Sequence, residues 1–305
     1  MRHSGTVDRD AEVWIRAHVE PIGDIETVHQ RSWATVARVP SIDGPAWFKA
    51  CAPVQAFEPR LTAQLFARWP DRVAQVLAFD EERAWLLMAH AGTPIAQLGN
   101  PPEAWLRVLP LYAELQRGEA AHSDDHLAHG VPDLRISALP ARYEKFVRQP
   151  DLPLDEPGRD RLQRFVPRFS ELCSELSAHG VPATIQHDDL HLTNLYRQGD
   201  RLRVVDWGDA SISHPFASLF VTFRFLEQVN GLPPTSPWFP RLRDAYLEPW
   251  GSGLTGTFAL AMRVGTFAHA IAWKRQRDHL PDQARREFDE DYSVVLSRAV
   301  ARTRD

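Results

Sequence analysis

The chain has 305 residues, a formal charge of −5 and an apolar share of 44%, with ten tryptophans and fifteen phenylalanines, which is ample for one large globular domain or two lobes. No run of eighteen apolar residues marks a membrane span, and the polar opening residues lack a signal peptide's apolar core, so a cytoplasmic protein without a membrane partner is expected. The acidic balance argues against nucleic acid as a partner and is compatible with a cationic small molecule, while two cysteines, Cys51 and Cys173, give neither a disulfide framework nor a zinc site.

In chain order, residues 8–18 have helical spacing and stop at Glu20-Pro-Ile-Gly. Residues 27–40 and 46–51 read as two strands about a turn that carries the Asp43-Gly44 hairpin cue. An apolar-periodic segment over 57–69 opens with Glu58 and Pro59, a residue tolerated in a helix's first turn. Strands over 74–79 and 83–88, joined across Asp80-Glu-Glu82, complete an antiparallel sheet of about five strands. Beyond Ala89-His-Ala-Gly92 the spacing predicts helices over 102–121, 134–147 and 160–179, with 149–158 a loop. Helices are predicted again over 215–229, 240–247, 256–275 and 281–301, and between the two helical groups lies a short apolar strand, a polar loop and a hairpin turning at Gly199-Asp200.

That central stretch carries the chemistry. Asp189 stands five positions before Asn194, and Asp206 follows the buried-type run Leu202-Arg-Val-Val205. Phosphoryl transfer from ATP needs a carboxylate to orient the attacking hydroxyl and accept its proton, and hard oxygen ligands to hold Mg²⁺ against the phosphates. Asp189 supplies the first requirement, and Asn194 with Asp206 the second. A further clue is the scarcity of lysine: only Lys49, Lys145 and Lys274 occur in a chain that otherwise uses arginine. A lysine in such a chain marks a need for a compact ammonium rather than a planar fork.

His187-Asp-Asp189-Leu-His-Leu-Thr-Asn194 resembles the H-x-D-x-x-x-x-N catalytic loop of the aminoglycoside phosphotransferase family, and Asp206-Trp-Gly208-Asp209 resembles its metal-binding D-x-G motif. The family usually reads H-G-D-L-H-P-G-N, so Asp188, Leu192 and Thr193 replace Gly, Pro and Gly at spacer positions. The resemblance implies an α+β, two-lobed protein-kinase-like fold, with a small N-terminal antiparallel-sheet lobe over 1–90 that binds nucleotide and a larger, mainly helical C-terminal lobe over 91–305 that binds the acceptor. It implies that Lys49 reaches the nucleotide phosphates and is held by Glu58, and that backbone groups near Ala89 and Ala91 meet the adenine edge at a hinge. The stretch His29-Gln-Arg-Ser32-Trp-Ala-Thr35 would cover the phosphates, yet it contains no glycine, and no Walker A sequence occurs.

The implied activity is ATP- or GTP-dependent, Mg²⁺-assisted phosphorylation of a hydroxyl on an aminoglycoside-like antibiotic, a sugar or an amino alcohol. The acidic clusters at 122–125 and at Glu287, Asp289, Glu290 and Asp291 are solvated faces on the plain reading and a cation-binding acceptor pocket on the reading the resemblance suggests. Two alternatives are a nucleotide-binding protein of this fold without turnover, and a zinc hydrolase using His187 and His191 four apart. The second requires a helix, and the β-branched, apolar flanks do not have helical period. The oligomeric state is not readable.

Overall fold

The computed structural model describes residues 7–199 and 201–304; Asp200, half of the predicted Gly199-Asp200 turn, and the first six residues of the polar N-terminus lie outside them. Two compact units are present: the first combines Met1–Gly99 with Leu192–Gly208, the second Asn100–His191 with Asp209–Asp305. The sequence reading instead divides the chain once, after residue 90. The physical reason for the discontinuous first unit is strand pairing by the segment after His191.

In the first unit α1 (Arg9–His18) begins at Asp8, whose side chain accepts from the Ala11 amide at 2.8 Å, satisfying one of the N–H groups a helix start leaves over. There follow β1 (Glu26–Gln30), β2 (Ala34–Val39), β3 (Ala46–Cys51), α2 (Glu58–Arg68), β4 (Val76–Asp80), β5 (Trp85–Met88) and the two-residue β6 (Thr93–Pro94). The sheet order is β1-β2-β3-β5-β4, all antiparallel. The strand predicted over 27–40 is thus two strands, because Arg31-Ser-Trp33 turns the chain and the Arg31 amide donates to Ala34 at 2.9 Å. Neither Gly nor Pro marks that turn, so the sequence conceals it.

Strand periodicity decides which face does what. Ala37 and Val39 of β2, Ala46 and Phe48 of β3, and Leu87 of β5 pack with Ile15 of α1 in one core. Trp14, Phe48 and Trp85 pack there with ring centroids 5.7–6.0 Å apart. Lys49, one residue on from Phe48, therefore projects to the other face.

The second unit begins with α3 (Pro102–Glu119), α4 (Ser123–Ala128), α5 (Leu139–Val147), α6 (Glu156–Arg164), α7 (Val166–Ala178) and β7 (Thr184–Gln186). The chain then supplies β8 (Leu195–Gln198) and β9 (Arg201–Val204) to the first unit, where they pair with β6 in the order β6-β8-β9. The rest of the second unit is β10 (Ser211–Ser213), α8 (Leu219–Asn230), α9 (Trp238–Leu247), α10 (Thr255–Asp278) and α11 (Asp282–Arg302). Two predicted helices differ: 134–147 is helical only from Leu139, with Pro140 in its first turn, and 160–179 is two helices separated at Phe165, ahead of Pro167. Among the described residues no helix is long and apolar enough to cross a membrane.

Side chains of α3 pin the strand that leads to the catalytic loop. Gln116 donates to the Ile185 carbonyl at 2.8 Å, and its own carbonyl oxygen accepts from Tyr246 Oη at 2.6 Å. Tyr112 Oη accepts from the His187 amide at 3.0 Å, and the Gln116, Tyr246 and Tyr112 side chains are all buried. Buried polar groups satisfied in this way fix position rather than merely fill space.

Candidate active site

In the first unit, Lys49 Nζ lies 2.6 Å from Glu58 Oε2 and 2.6 Å from Asp206 Oδ1. The sequence-predicted residues Lys49, Glu58 and Asp206 are therefore in one cluster. Glu58 is fully buried in the first turn of α2, whereas the Asp206 side chain is 49% exposed. Burial alone would drive the proton off Lys49, but the Asp206 and Glu58 carboxylates outweigh it and hold the ammonium pKa well above its ordinary value. Cys51 Sγ donates to Glu58 Oε2 at 3.3 Å, and burial pushes the thiol up, so it is an un-ionised partner rather than a nucleophile.

Two backbone features place these groups. Asp206 has φ +65°, the left-handed region that aspartate tolerates better than most residues. Gly208 lies against α2: a Cβ there would stand 2.7 Å from Gln55 Cδ and 2.8 Å from Glu58 Oε2. Gly208→Ala is expected to push Glu58 off Lys49 and to lower stability by about 1–3 kcal/mol, the usual effect of overpacking. Urea unfolding of the variant against the parent measures this, and an unchanged midpoint would show that the loop yields freely.

A cavity of about 320 Å³ opens beside the cluster. Its apolar walls include Val36, Ala74, Met88 and Val205, and its polar end holds Lys49, Asn194 and Asp206. Ala89 and Ala91 also line it. The Ala89 amide donates to the Gln75 carbonyl at 2.9 Å. His29 reaches the cavity, whereas Ser32 of the glycine-free turn is exposed and does not line it. Asn194 is buried and its carbonyl accepts from the Val205 amide at 3.0 Å, which joins the two metal-capable positions by a backbone bond one residue before Asp206. A site with one carboxylate and one amide oxygen fits Mg²⁺, which keeps several waters and takes remaining ligands from phosphates.

In the second unit, Asp189 sits on a non-helical loop after β7 with its side chain one-third exposed. His191 Nε2 donates to Asp189 Oδ2 at 3.1 Å, and the His191 ring stacks on Phe225 of α8 with centroids 4.2 Å apart. The Asp189 amide donates to His187 Nδ1 at 3.3 Å. Both histidines are thereby occupied in shaping the loop, and without a helix they do not form the zinc pair weighed from sequence. Sequence reasoning missed Asp188. It has φ +61°, where the related motif has glycine, and its buried carboxyl accepts from Ser211 Oγ and from Gln186 Nε2, tying β7 to β10. Burial pushes that carboxyl up to about 7. The replaced glycine was the available signal.

No protein-family model matches the sequence, and no curated protein matches it in sequence either. Solved structures do match in fold. A choline kinase from Cryptosporidium parvum Iowa II aligns with TM-score 0.66 at 12% identity, over 97% of this chain and 96% of that one. A choline/ethanolamine kinase family protein from Mesorhizobium loti aligns with TM-score 0.59 at 15% identity, over 96% and 99%. A spectinomycin phosphotransferase solved with ADP and spectinomycin gives 0.53 at 12%, over 98% and 99%. The chain has the fold of the kinase-like small-molecule phosphotransferases. This kinase-like fold runs nearly the whole length of both chains in each comparison. Its small antiparallel sheet and its mostly helical remainder are those expected from the motifs.

Proposed function

We propose that the protein transfers the γ-phosphoryl group of ATP or GTP to a hydroxyl of a small molecule. The observation that carries this reading is the Lys49 ammonium held by Glu58 and Asp206 at the polar end of a cavity that Asn194, Ala89 and Ala91 also line. The ammonium would meet the nucleotide phosphates, the Ala89 carbonyl and Ala91 amide the base edge, and the apolar walls the ring faces. Asn194 and Asp206 would hold Mg²⁺, which when bound supplies neutralisation of phosphate charge. Asp189 would orient the acceptor hydroxyl and take its proton as the new O–P bond forms and the bond to the nucleoside diphosphate breaks. The neighbours act as support by analogy: they are named as kinases of choline and ethanolamine and as a phosphotransferase bound to ADP.

The test is Mg²⁺-dependent stabilisation by nucleotide. At a concentration a hundredfold above the dissociation constant, Mg-ATP or Mg-GTP should stabilise the protein by about 2.7 kcal/mol. In Asp206→Ala the effect should shrink and lose its dependence on Mg²⁺. A melting scan that shows no shift with any nucleotide at millimolar concentration sinks the proposal, and a parent-like shift in Asp206→Ala removes Asp206 from the metal site.

A further inference from the structure

The acceptor class is written in charges near Asp189. On α8, Phe220 and Arg224 stand one helical turn apart on the same face, and Phe225 beside Arg224 is the residue that stacks on His191. From α10, His269 brings its ring to 5.2 Å from that of Phe220. From α11, Arg298 and Asp291 lie two turns apart on one face. Arg224 is half-buried and makes no ion pair among the described residues. Its guanidinium carbon lies 5.3 Å from the Phe225 ring centroid, and its Nε is buried with no hydrogen-bond partner. Arg298 likewise makes no ion pair among the described residues, and the buried Nε2 of His269 has no partner.

Arg224 and an unsatisfied histidine nitrogen thus stand on the Phe220 side of α8, beside the loop that carries Asp189, and the charge of Arg298 acts on both. Burial lowers the Arg224 pKa and the charge of Arg298 lowers it further, against the opposing charges of Asp189 and Asp291. Burial, with Arg224 and Arg298, also drives His269 down to about 3, so its ring is neutral at pH 7. Such an arrangement stores like-charge repulsion that a bound anion would relieve. A cationic acceptor would add to it. Of the acids that made a cation pocket attractive from sequence, Asp124 pairs with Arg135 at 3.3 Å and Asp289 is clasped by Arg277, whereas Asp291 is one of the charges facing Arg224.

We propose that the acceptor bears a carboxylate or a phosphate monoester besides its hydroxyl, and that Arg224 and Arg298 receive that anionic group while His269 donates to it. The inference rests on the phosphotransfer reading above. The planar fork of arginine suits both anions.

ADP release with Mg-ATP is measured over three anionic acceptors, glycerate, 4-hydroxybutyrate and glycerol 3-phosphate, and three cationic ones, choline, ethanolamine and kanamycin. Turnover is expected among the anions, and glycerate against glycerol 3-phosphate separates carboxylate from phosphate. Arg224→Met, which keeps an apolar stem against Phe225, should raise KM for the active anion about 10–100-fold and change kcat much less. Turnover of cations alone overturns the inference and leaves phosphotransfer standing. If none of the six turns over, melting scans with saturating Mg-ADP decide. An anion that stabilises the parent but not Arg224→Met supports the inference, whereas no stabilisation, or equal stabilisation of both, overturns it. Without any anion Arg224→Met should melt no lower than the parent, because one of two like charges has gone; Arg298→Met provides the same readouts should the first variant not fold. Absence of any Mg-nucleotide shift in the parent counts against the phosphotransfer reading itself and is scored separately.

Discussion

Replacing Asp189 by Asn is expected to lower kcat by about 10²–10⁴-fold, the usual contribution of a general base, while stabilisation by Mg-nucleotide stays near that of the parent. The substitution keeps the size of the side chain, and the contacts that shape the loop remain: the Asp189 amide to His187, and the His191 ring against Phe225. What disappears is the capacity to accept a proton. An interaction that matters only as the proton moves lowers kcat and kcat/KM together, whereas one present in the ground state changes binding as well. Asp206, proposed above to hold Mg²⁺ against the phosphates in the ground state, would belong to the second kind. Steady-state rates on an identified acceptor decide the matter, and parent-like turnover in Asp189→Asn would move the base to another residue.

Lys49→Ala should unfold more easily than the parent by about 3–5 kcal/mol, the typical consequence of removing one member of a buried ion pair. The structure places this lysine against a carboxylate with no exposed surface. Burial already pushes the Glu58 pKa up, and Lys49 is the principal charge that opposes the shift. A carboxyl whose folded pKa exceeds its unfolded value contributes stability that is whole below the unfolded value and is lost as pH rises through the folded one. The deficit of Lys49→Ala should therefore widen as pH rises from about 4.3, the ordinary glutamate value. Changing both partners, Lys49→Met with Glu58→Leu, should recover much of the stability and none of the nucleotide effect. Urea unfolding at pH 5 and pH 8 checks the sign, and an equal deficit at both would mean that losing Lys49 does not raise the Glu58 pKa further.

The parts of this molecule legible in its sequence are those in which residue type and spacing are themselves the requirement. Spacing marks Asp189, Asn194 and Asp206 and the rarity of lysine marks Lys49, and three of these, Lys49, Asn194 and Asp206, line one cavity. The five-stranded sheet followed from strand patterning, although β1 and β2 merged into one because the turn at Arg31-Ser-Trp33 carries no breaker residue. Ser211-Ile-Ser213 was too short to register as a strand, yet its Ser211 holds Asp188. Arg224 was hidden differently. Between Phe223 and Phe225 it reads as one polar residue on an apolar helix, and that it makes no ion pair among the described residues depends on side-chain placement that no local window contains. Ala89 and Ala91 would act through backbone groups, which leave no trace in residue type.

The discontinuity of the first unit has a consequence for how it is made. The Val204 amide donates to the Arg72 carbonyl at 2.8 Å, and the Ala74 amide donates to the Val204 carbonyl at 3.3 Å. Both bonds join residues that leave the ribosome with the whole of Asn100–His191 between them. Until β8 emerges the short β6 has no partner strand, and until β9 follows neither has the edge at Arg72–Ala74; an unpaired edge invites association with other chains. In the same interval Lys49 can meet Glu58, whose chain has already been made, but not Asp206. The second carboxylate on that ammonium arrives with one of the last segments of its own unit to be synthesised, so a chain truncated at Gly99 would hold the lysine and its buried glutamate without the groups read here as metal ligands.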